Sequence, residues 1–355
     1  MCVRSPVDSV AATGPRTTVW WQTGASHSRF LEGMSGSESG STSGDEREQS
    51  KIVDVTYQAP DVIEALEADT EVVEAVGNGW EDMALLEGLG ELTSVCLRNN
   101  RIKKVENLGA ASKLEELDMY GNSVKVVEGI EHLAALRVLD LSFNLVRDMS
   151  PLGSGFASLT KLYLCANKIS AICGLDSVPA LEVLELGSNR IRKIENLEAV
   201  PRLRELWLGR NKITKLEGLS ALTELEILDV QSNRITVLEG LEENSKLTDL
   251  YLSHNMIEEL TGLDALACLE TLDVSNNALA HFPNDGSLPL ATLTEFWANH
   301  NTISDWKDVD VLKAAPGLAT VYFEGNPIAE HPRYRAIVKE TLPQVQQIDA
   351  LFIRG

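Results

Sequence analysis

One frame, L-x-x-L-x-L-x-x-N, recurs eleven times down this 355-residue chain. Its asparagines are Asn100, Asn122, Asn144, Asn167, Asn189, Asn211, Asn233, Asn255, Asn277, Asn301 and Asn326, and successive ones lie 22 to 25 residues apart. Phase that constant over residues 92–326 cannot be coincidence in a Leu-rich chain. The period also restricts the fold. A unit of 22 residues cannot enclose its own apolar side chains, so neighbours must stack and share one continuous core.

The clearest unit runs through Leu203, Leu206, Leu208 and Asn211, then Ile213, Leu216, Leu219 and Leu222. Leu206 and Leu208 alternate as a short strand does, pointing inward while residues 205, 207 and 209 point outward. The asparagine falls where the strand ends. Its amide can serve backbone groups that the turn leaves unpaired, and stacked repeats would align these amides as a ladder. The return leg has an apolar period near three, which predicts a tight helical or 3₁₀ path. The pattern is that of a leucine-rich repeat at the short end of its length range. The expected fold is an α/β repeat solenoid of about 11–12 units, with a curved parallel sheet on the concave face and a 3₁₀ or helical convex side. Strands stacked at roughly 4.8 Å make that face on the order of 50 Å long.

Both ends depart from the frame. Counting back from Asn100 reaches Asn78, with Trp80, Met83, Leu86, Leu89 and Leu92 in apolar places, but Thr70, Val73 and Ala75 stand where leucine is usual. Residues 61–91 are therefore expected to be an N-terminal cap containing a degenerate first repeat. At the other end, residues 327–355 should form a C-terminal cap, with Tyr334, Ile337, Val338 and Leu342 on a short closing helix. Solenoids need such caps because an open end exposes apolar surface and an unpaired strand edge. Residues 1–60 are expected to be a disordered extension, Gly/Ser-rich and acidic from Met34 onward. Met34 reads as the true start, with 1–33 an upstream extension.

The formal charge of −22 is uneven, with 15 acids against 2 bases in residues 34–91. An acidic body repels phosphate backbones and anionic lipid, so nucleic acid and membrane are not expected as direct ligands. A basic protein surface is its complement. The five cysteines show no paired spacing, and no apolar run is long enough to span a membrane. An intracellular protein with reduced thiols is expected, with Cys96 and Cys165 at exposed strand positions. No nucleotide-binding, zincin or nucleophile-elbow motif is present. The six histidines never take metal-ligand spacing, and His254 and His300 read as stacked exposed turns. No cofactor and no metal are expected, and the chain reads as a non-enzyme. Paired carboxylates such as Asp118 and Asp140, without a pocket to desolvate them, should keep ordinary pKa values.

Function is most legible at the outward position between the last two leucines of each strand. In order it holds Cys96, Asp118, Asp140, Tyr163, Glu185, Trp207, Asp229, Tyr251, Asp273, Trp297 and Tyr322. Five are acids and five are Tyr or Trp, in a chain with only six of each aromatic. Aromatics at a solvent-facing position add nothing to a core they cannot reach, yet they dominate binding hot spots, and acids beside them suit Arg- and Lys-rich partners. The next outward column adds Glu116, Lys161, Glu205, Asp249 and Glu295, with apolar Val138 and Ile227. The competing reading is that aromatics simply favour strands and stack along the sheet.

Several stretches are more specific than the generic repeat. They include Leu186-Gly187-Ser188-Asn189-Arg190-Ile191-Arg192, Leu208-Gly209-Arg210-Asn211-Lys212-Ile213, Tyr251-Leu252-Ser253-His254-Asn255 and Glu295-Phe296-Trp297. The ending Leu342-Pro343-x-Val345-x-Gln347-Ile348-Asp349-Ala350-x-Phe352 is another. On these residues the chain, from about residue 70 onward, resembles the protein phosphatase 1 regulatory subunit 7 family. The resemblance implies a non-catalytic regulator that holds the phosphatase catalytic subunit on its concave face. The contacts it implies are Asp140, Tyr163, Glu185, Trp207, Asp273, Glu295, Trp297 and Tyr322, to which the row adds Asp118, Asp229 and Tyr251. Tyr163 and Trp207 stand where the family commonly has Phe. It further implies control of activity, maturation or localisation, residence in nucleus and cytoplasm, a monomer apart from the complex, and room for a third regulatory protein. The alternative reading is a structural scaffold of an axonemal or ribonucleoprotein assembly.

Overall fold

The computed structural model describes residues 51–54, 56 and 66–353. Among the described residues fifteen short strands form one sheet in chain order. They are β1 Ile52–Asp54, β2 Val72–Glu74, β3 Ser94–Cys96, β4 Glu116–Asp118, β5 Val138–Asp140, β6 Lys161–Tyr163, β7 Val183–Glu185 and β8 Glu205–Trp207, then β9 Ile227–Asp229, β10 Asp249–Tyr251, β11 Thr271–Asp273, β12 Glu295–Trp297, β13 Thr320–Tyr322, β14 Gln347–Ile348 and β15 Leu351–Phe352. All pairings are parallel except the last, β14 with β15. The register never slips within the repeats: Leu206 faces Leu228, and Trp207 faces Asp229. Equivalent residues therefore stack into columns running the length of the sheet.

The middle residue of each repeat strand is buried, and so is the residue just beyond the strand, as with Leu206 and Leu208. The return leg adds a second apolar layer from Ile213, Leu216, Leu219 and Leu222. Each such side chain contributes roughly 2 kcal/mol of burial, most of it gained only against a neighbouring repeat. The path of the return leg differs from the helical expectation. Among the described residues 3₁₀ helix is confined to Ala84–Leu86, Ser150–Gly153, Leu312–Ala314 and Pro327–Glu330. Elsewhere single turns follow one another, closed by bonds such as Leu222 N–H to Leu219 O and Leu225 N–H to Leu222 O. The period of three comes from chained turns, and the chain between them is too extended for a helix.

The asparagine ladder is realised in full. Asn211 Nδ2 donates to Leu186 O in the preceding repeat and to Leu208 O in its own, both at 2.9 Å. Its Oδ1 accepts the Ile191 N–H at 2.9 Å, again from the preceding repeat. The residue before each asparagine is left-handed, with φ near +55° at Phe143, Ser188, Arg210, His254 and His300. A non-glycine residue pays about 1–2 kcal/mol there, and the amide bonds hold it in place. His254 and His300 are exposed at this position, on turns of the same left-handed kind, with Asn276 on the turn between them.

At the N-terminal end β2 keeps the repeat register, and Asn100 Oδ1 accepts the Trp80 N–H, so the degenerate unit is tied in like the others. The expectation of disorder through residue 60 fails at Ile52–Asp54, which pairs with β2 as a further parallel strand. Most of residues 1–60, with Met34 and the possible upstream extension, lies outside the described residues. At the C-terminal end helix α2, Tyr334–Thr341, lies beyond a short helix α1, Trp306–Val311. Tyr334, Val338 and Leu342 are buried, and Ile337 is half-buried. Asp349 closes the ladder. Its Oδ1 accepts the Phe323 N–H at 2.9 Å, a group that in other repeats bonds the next strand, and both its oxygens accept from the Tyr334 hydroxyl. No helix among the described residues is long and apolar enough to cross a membrane.

Candidate functional site on the concave sheet

The outward row forms a column, but it is not uniformly exposed. Asp140 and Asp229 are each 3% exposed and Asp273 is 7% exposed, so three acids read as surface groups are buried. Two causes combine. Every Asp of the row turns back on its own chain: Asp118, Asp140, Asp229 and Asp273 each accept the N–H two residues on, at Tyr120, Ser142, Gln231 and Ser275. These bonds satisfy the backbone where the strand ends, as Asx turns do. Over Asp229 and Asp273 large rings then close. Trp207 and Tyr251 come from strands on either side of β9, yet their centroids lie 6.4 Å apart above Asp229. Tyr251 and Trp297 do the same across Asp273, and Trp297 and Tyr322 meet edge to face at 6.0 Å.

A continuous aromatic strip, Trp207–Tyr251–Trp297–Tyr322, therefore runs along β8 to β13. Its polar edges are held from the flanking column. Trp207 Nε1 donates to Glu205 Oε2 at 3.1 Å, the Tyr251 hydroxyl approaches Asp249 Oδ1 at 3.4 Å, and Gln347 Nε2 donates to the Tyr322 hydroxyl at 2.7 Å. Glu185, Glu205, Asp249 and Glu295 remain half-exposed around the rings, and none of the three outward columns from β7 to β13 carries Lys or Arg.

Burial changes the chemistry of Asp229, Asp273 and Glu295, and with Asp118 at the other end of the row it overturns the expectation of ordinary carboxylate pKa values on this face. Asp229 is pushed up to about 6, chiefly by burial, with the Gln231 N–H and side-chain amide holding it down in part. Burial also raises Asp273, against the opposing Ser275 bonds, and Glu295, partly offset by the Trp297 indole beside it. The phenols of Tyr163 and Tyr251 are driven upward by burial and neighbouring carboxylates, so both stay protonated hydrogen-bond donors.

The β3–β6 end is built differently. Arg98 pairs with Asp118 through Nε and lies 3.9 Å from Asp140 Oδ2. Its guanidinium also lies 5.4 Å from the Tyr120 ring centre, and Tyr120 packs on Phe143 at 4.9 Å. Asp118 is still raised, first by burial and then by the Asp140 charge, with Arg98 opposing. Cys96 is half-buried and pushed up to about 11 by burial, and Cys165 is buried and raised for the same reason. Neither is the exposed thiol expected at these positions. Among the described residues no group of His, Cys, Asp and Glu is arranged to hold a metal.

Sequence reasoning found the column and its aromatics but missed Arg98 and the roofed carboxylates. A signal was available. Four of the five acids are Asp, the residue short enough to reach its own backbone, and Glu185 is the exception.

A leucine-rich-repeat family model of two copies matches residues 179–221 and 201–243, and a second leucine-rich-repeat model matches 227–354. Protein phosphatase 1 regulatory subunit 7 from Danio rerio is 55% identical over 49 residues, 14% of each chain. The Homo sapiens protein of that name is 50% identical over 52 residues, covering 15% of this chain and 14% of that one. Protein phosphatase 1 regulatory subunit SDS22 from Schizosaccharomyces pombe is 45% identical over 67 residues, 18% of this chain and 20% of that one. The matches thus span a fifth or less of these relatives' lengths. Among solved structures, a leucine-rich-repeat protein from Leptospira interrogans has a TM-score of 0.64 at 21% identity, covering 84% of this chain and 89% of that one. An internalin from Listeria monocytogenes has a TM-score of 0.59 at 21% identity, covering 86% and 88%. Repeat, sheet and family models agree: the chain is a leucine-rich-repeat solenoid, similar over short segments to regulatory subunits of protein phosphatase 1.

Proposed function

We propose that the chain is a non-catalytic regulatory subunit that holds the catalytic subunit of a protein phosphatase 1-type enzyme on its concave face. The observation that carries this reading is the aromatic strip Trp207–Tyr251–Trp297–Tyr322, bordered by half-exposed carboxylates with no cation among them. Rings already packed on one another lose little freedom when a partner covers them, and carboxylates at their edge select Arg or Lys. The names of the relatives support the partner's identity. On this reading Trp207, Tyr251, Trp297 and Tyr322 bear the contact, with Tyr163 extending it toward β6. Glu185 and Glu295 give charge recognition. Asp118, Asp140, Asp229 and Asp273 act by shaping and supporting the surface.

Affinity capture from cell extract tests it. The full chain should retain the phosphatase catalytic subunit, and Trp297→Ala or Glu185→Lys should release it with an unchanged circular dichroism spectrum. Retention by both variants would reject the proposal. Residence in nucleus and cytoplasm belongs to the same reading, and fractionation of cells carrying the tagged chain checks it. Phosphatase activity in the isolated chain would contradict the non-catalytic role.

A further inference from the structure

The chain carries a net charge of −22, yet its cations concentrate along one edge of the solenoid. In each repeat six residues, from the left-handed position through four beyond the asparagine, form the rim where the strand turns toward the convex side. Over the seven repeats from residue 99 to residue 237 these windows hold 13 of the chain's 31 Lys and Arg against a single acid, Asp148. In the three following repeats the same windows hold Glu258, Glu259 and Asp305 and no cation.

The cations are placed in register. Lys168, Arg190, Lys212 and Arg234 each directly follow the ladder asparagine, and their N–H groups donate at 2.8 Å to Val146, Ile169, Ile191 and Ile213 O of the preceding repeat. Four consecutive cations therefore stand above one another at about the spacing of parallel strands. Arg192, Lys193, Arg210 and Lys215 flank them. Lys193 and Lys215 reach Glu195 and Glu239 farther round the turn, but no salt bridge is formed by Lys168, Arg190, Arg192, Lys212 or Arg234 among the described residues. All but Lys168 and Lys212 of these cations are exposed, and those two are half-buried. A column of like charges at strand spacing is self-repelling and stabilises nothing in the fold. With 53 acids in the chain, its freedom from acidic neighbours is a feature of placement, not of supply.

We propose that this rim is a second interaction surface, distinct from the concave strip, and that it binds an extended acidic segment of a partner protein. Charge complementarity selects an anionic guest. The dimensions favour a peptide: the strip is one turn wide and about 30 Å long over seven repeats. One column without acids separates it from Asp118, Asp140, Glu185 and Asp229 on the concave face, and these would repel a nucleic-acid duplex broad enough to overlap both. Carboxylates on a strand crossing the repeats meet a guanidinium or ammonium at nearly every step. The inference does not depend on the phosphatase reading.

The test uses the full chain and a fluorescently labelled twelve-residue peptide of alternating Glu and Ser, followed by anisotropy at 50 mM salt. Binding is expected, weakening at least tenfold at 200 mM salt. The triple charge reversal Arg190→Glu, Lys212→Glu, Arg234→Glu should weaken it at least tenfold. Reversal of Lys246 and Lys313, cations elsewhere on the surface, should change it less than twofold. Trp297→Ala should leave peptide binding intact, which separates this surface from the concave one. The proposal is overturned by absence of peptide binding, by equal loss in the two reversals, or by a twelve-nucleotide single strand that binds more tightly than the peptide.

Discussion

Asp118 and Asp140 on β4 and β5 lie under a guanidinium, whereas Asp229 and Asp273 on β9 and β11 lie under indole and phenol rings. All four make the same backbone bond to the N–H two residues on, so the scaffold's demand is met identically at both ends. What covers the carboxylate differs. Arg98 and Lys161 offset two of the three carboxylates, Glu116, Asp118 and Asp140, in the outward columns of β3–β6. The rings neutralise nothing, so the β7–β13 region keeps its negative field and adds apolar area. One end of the sheet is partly closed on itself, and the other is, on the proposed function, the part that receives a basic guest.

The largest test of that contrast is on binding. Trp297→Ala should weaken capture of the catalytic subunit by roughly 30-fold or more, the range of an interface hot spot of about 2–4 kcal/mol. Arg98→Ala should weaken it less than threefold, and equal losses would erase the distinction between the two ends. Stability should respond in the opposite sense. Arg98→Ala strands two carboxylates, at a cost of roughly 2–3 kcal/mol near pH 7 in urea unfolding. That is less than for a fully buried pair because the guanidinium is 22% exposed. Asp118 already has a raised folded pKa, so its proton is held more tightly in the folded chain, and removing Arg98 raises it further. Stability then increases as pH falls, and the deficit should shrink toward pH 4. A deficit independent of pH would assign Arg98 a packing role instead.

Asp229 offers the finer comparison. Its folded pKa of about 6 against an ordinary 3.8 means that the charged form is disfavoured by folding. Its destabilising contribution is full above pH 6 and vanishes below about pH 4. Asn keeps the bond from Gln231 and removes the charge. Asp229→Asn should therefore stabilise the chain by about 1–2 kcal/mol at pH 7.5, with no gain at pH 4. Destabilisation at pH 7.5 would show that the ionised form is what the site requires. The smallest effect is expected at the boundary between the two ends, where Tyr163→Phe should change capture less than threefold.

The architecture was legible because it rests on a count. Leu206, Leu208 and Asn211 define a register, and the register defines the neighbours of every residue. The aromatic members of the row were legible for the same reason. What was not legible required knowing how far a side chain leans. Trp207 and Tyr251 are 44 residues apart in the chain and meet only because the side chain between them is short. Arg98 lies one column away from the row, and its reach to Asp118 and Asp140 across successive strands leaves no mark in a periodicity. Which path the return leg takes was not legible, because a period of three suits either a 3₁₀ helix or a chain of turns.

The asparagine ladder gives the solenoid a direction. Each amide serves its own repeat and the one before it, never the one after. A unit gained by duplication would arrive carrying the fastener for its upstream neighbour, and would present to its downstream neighbour the groups that the next asparagine fastens. Such a chain can lengthen or shorten by whole units of 22 residues without redesign at the junction. The one place where growth must stop is Asp349, whose carboxylate takes up the Phe323 N–H that a further strand would have claimed.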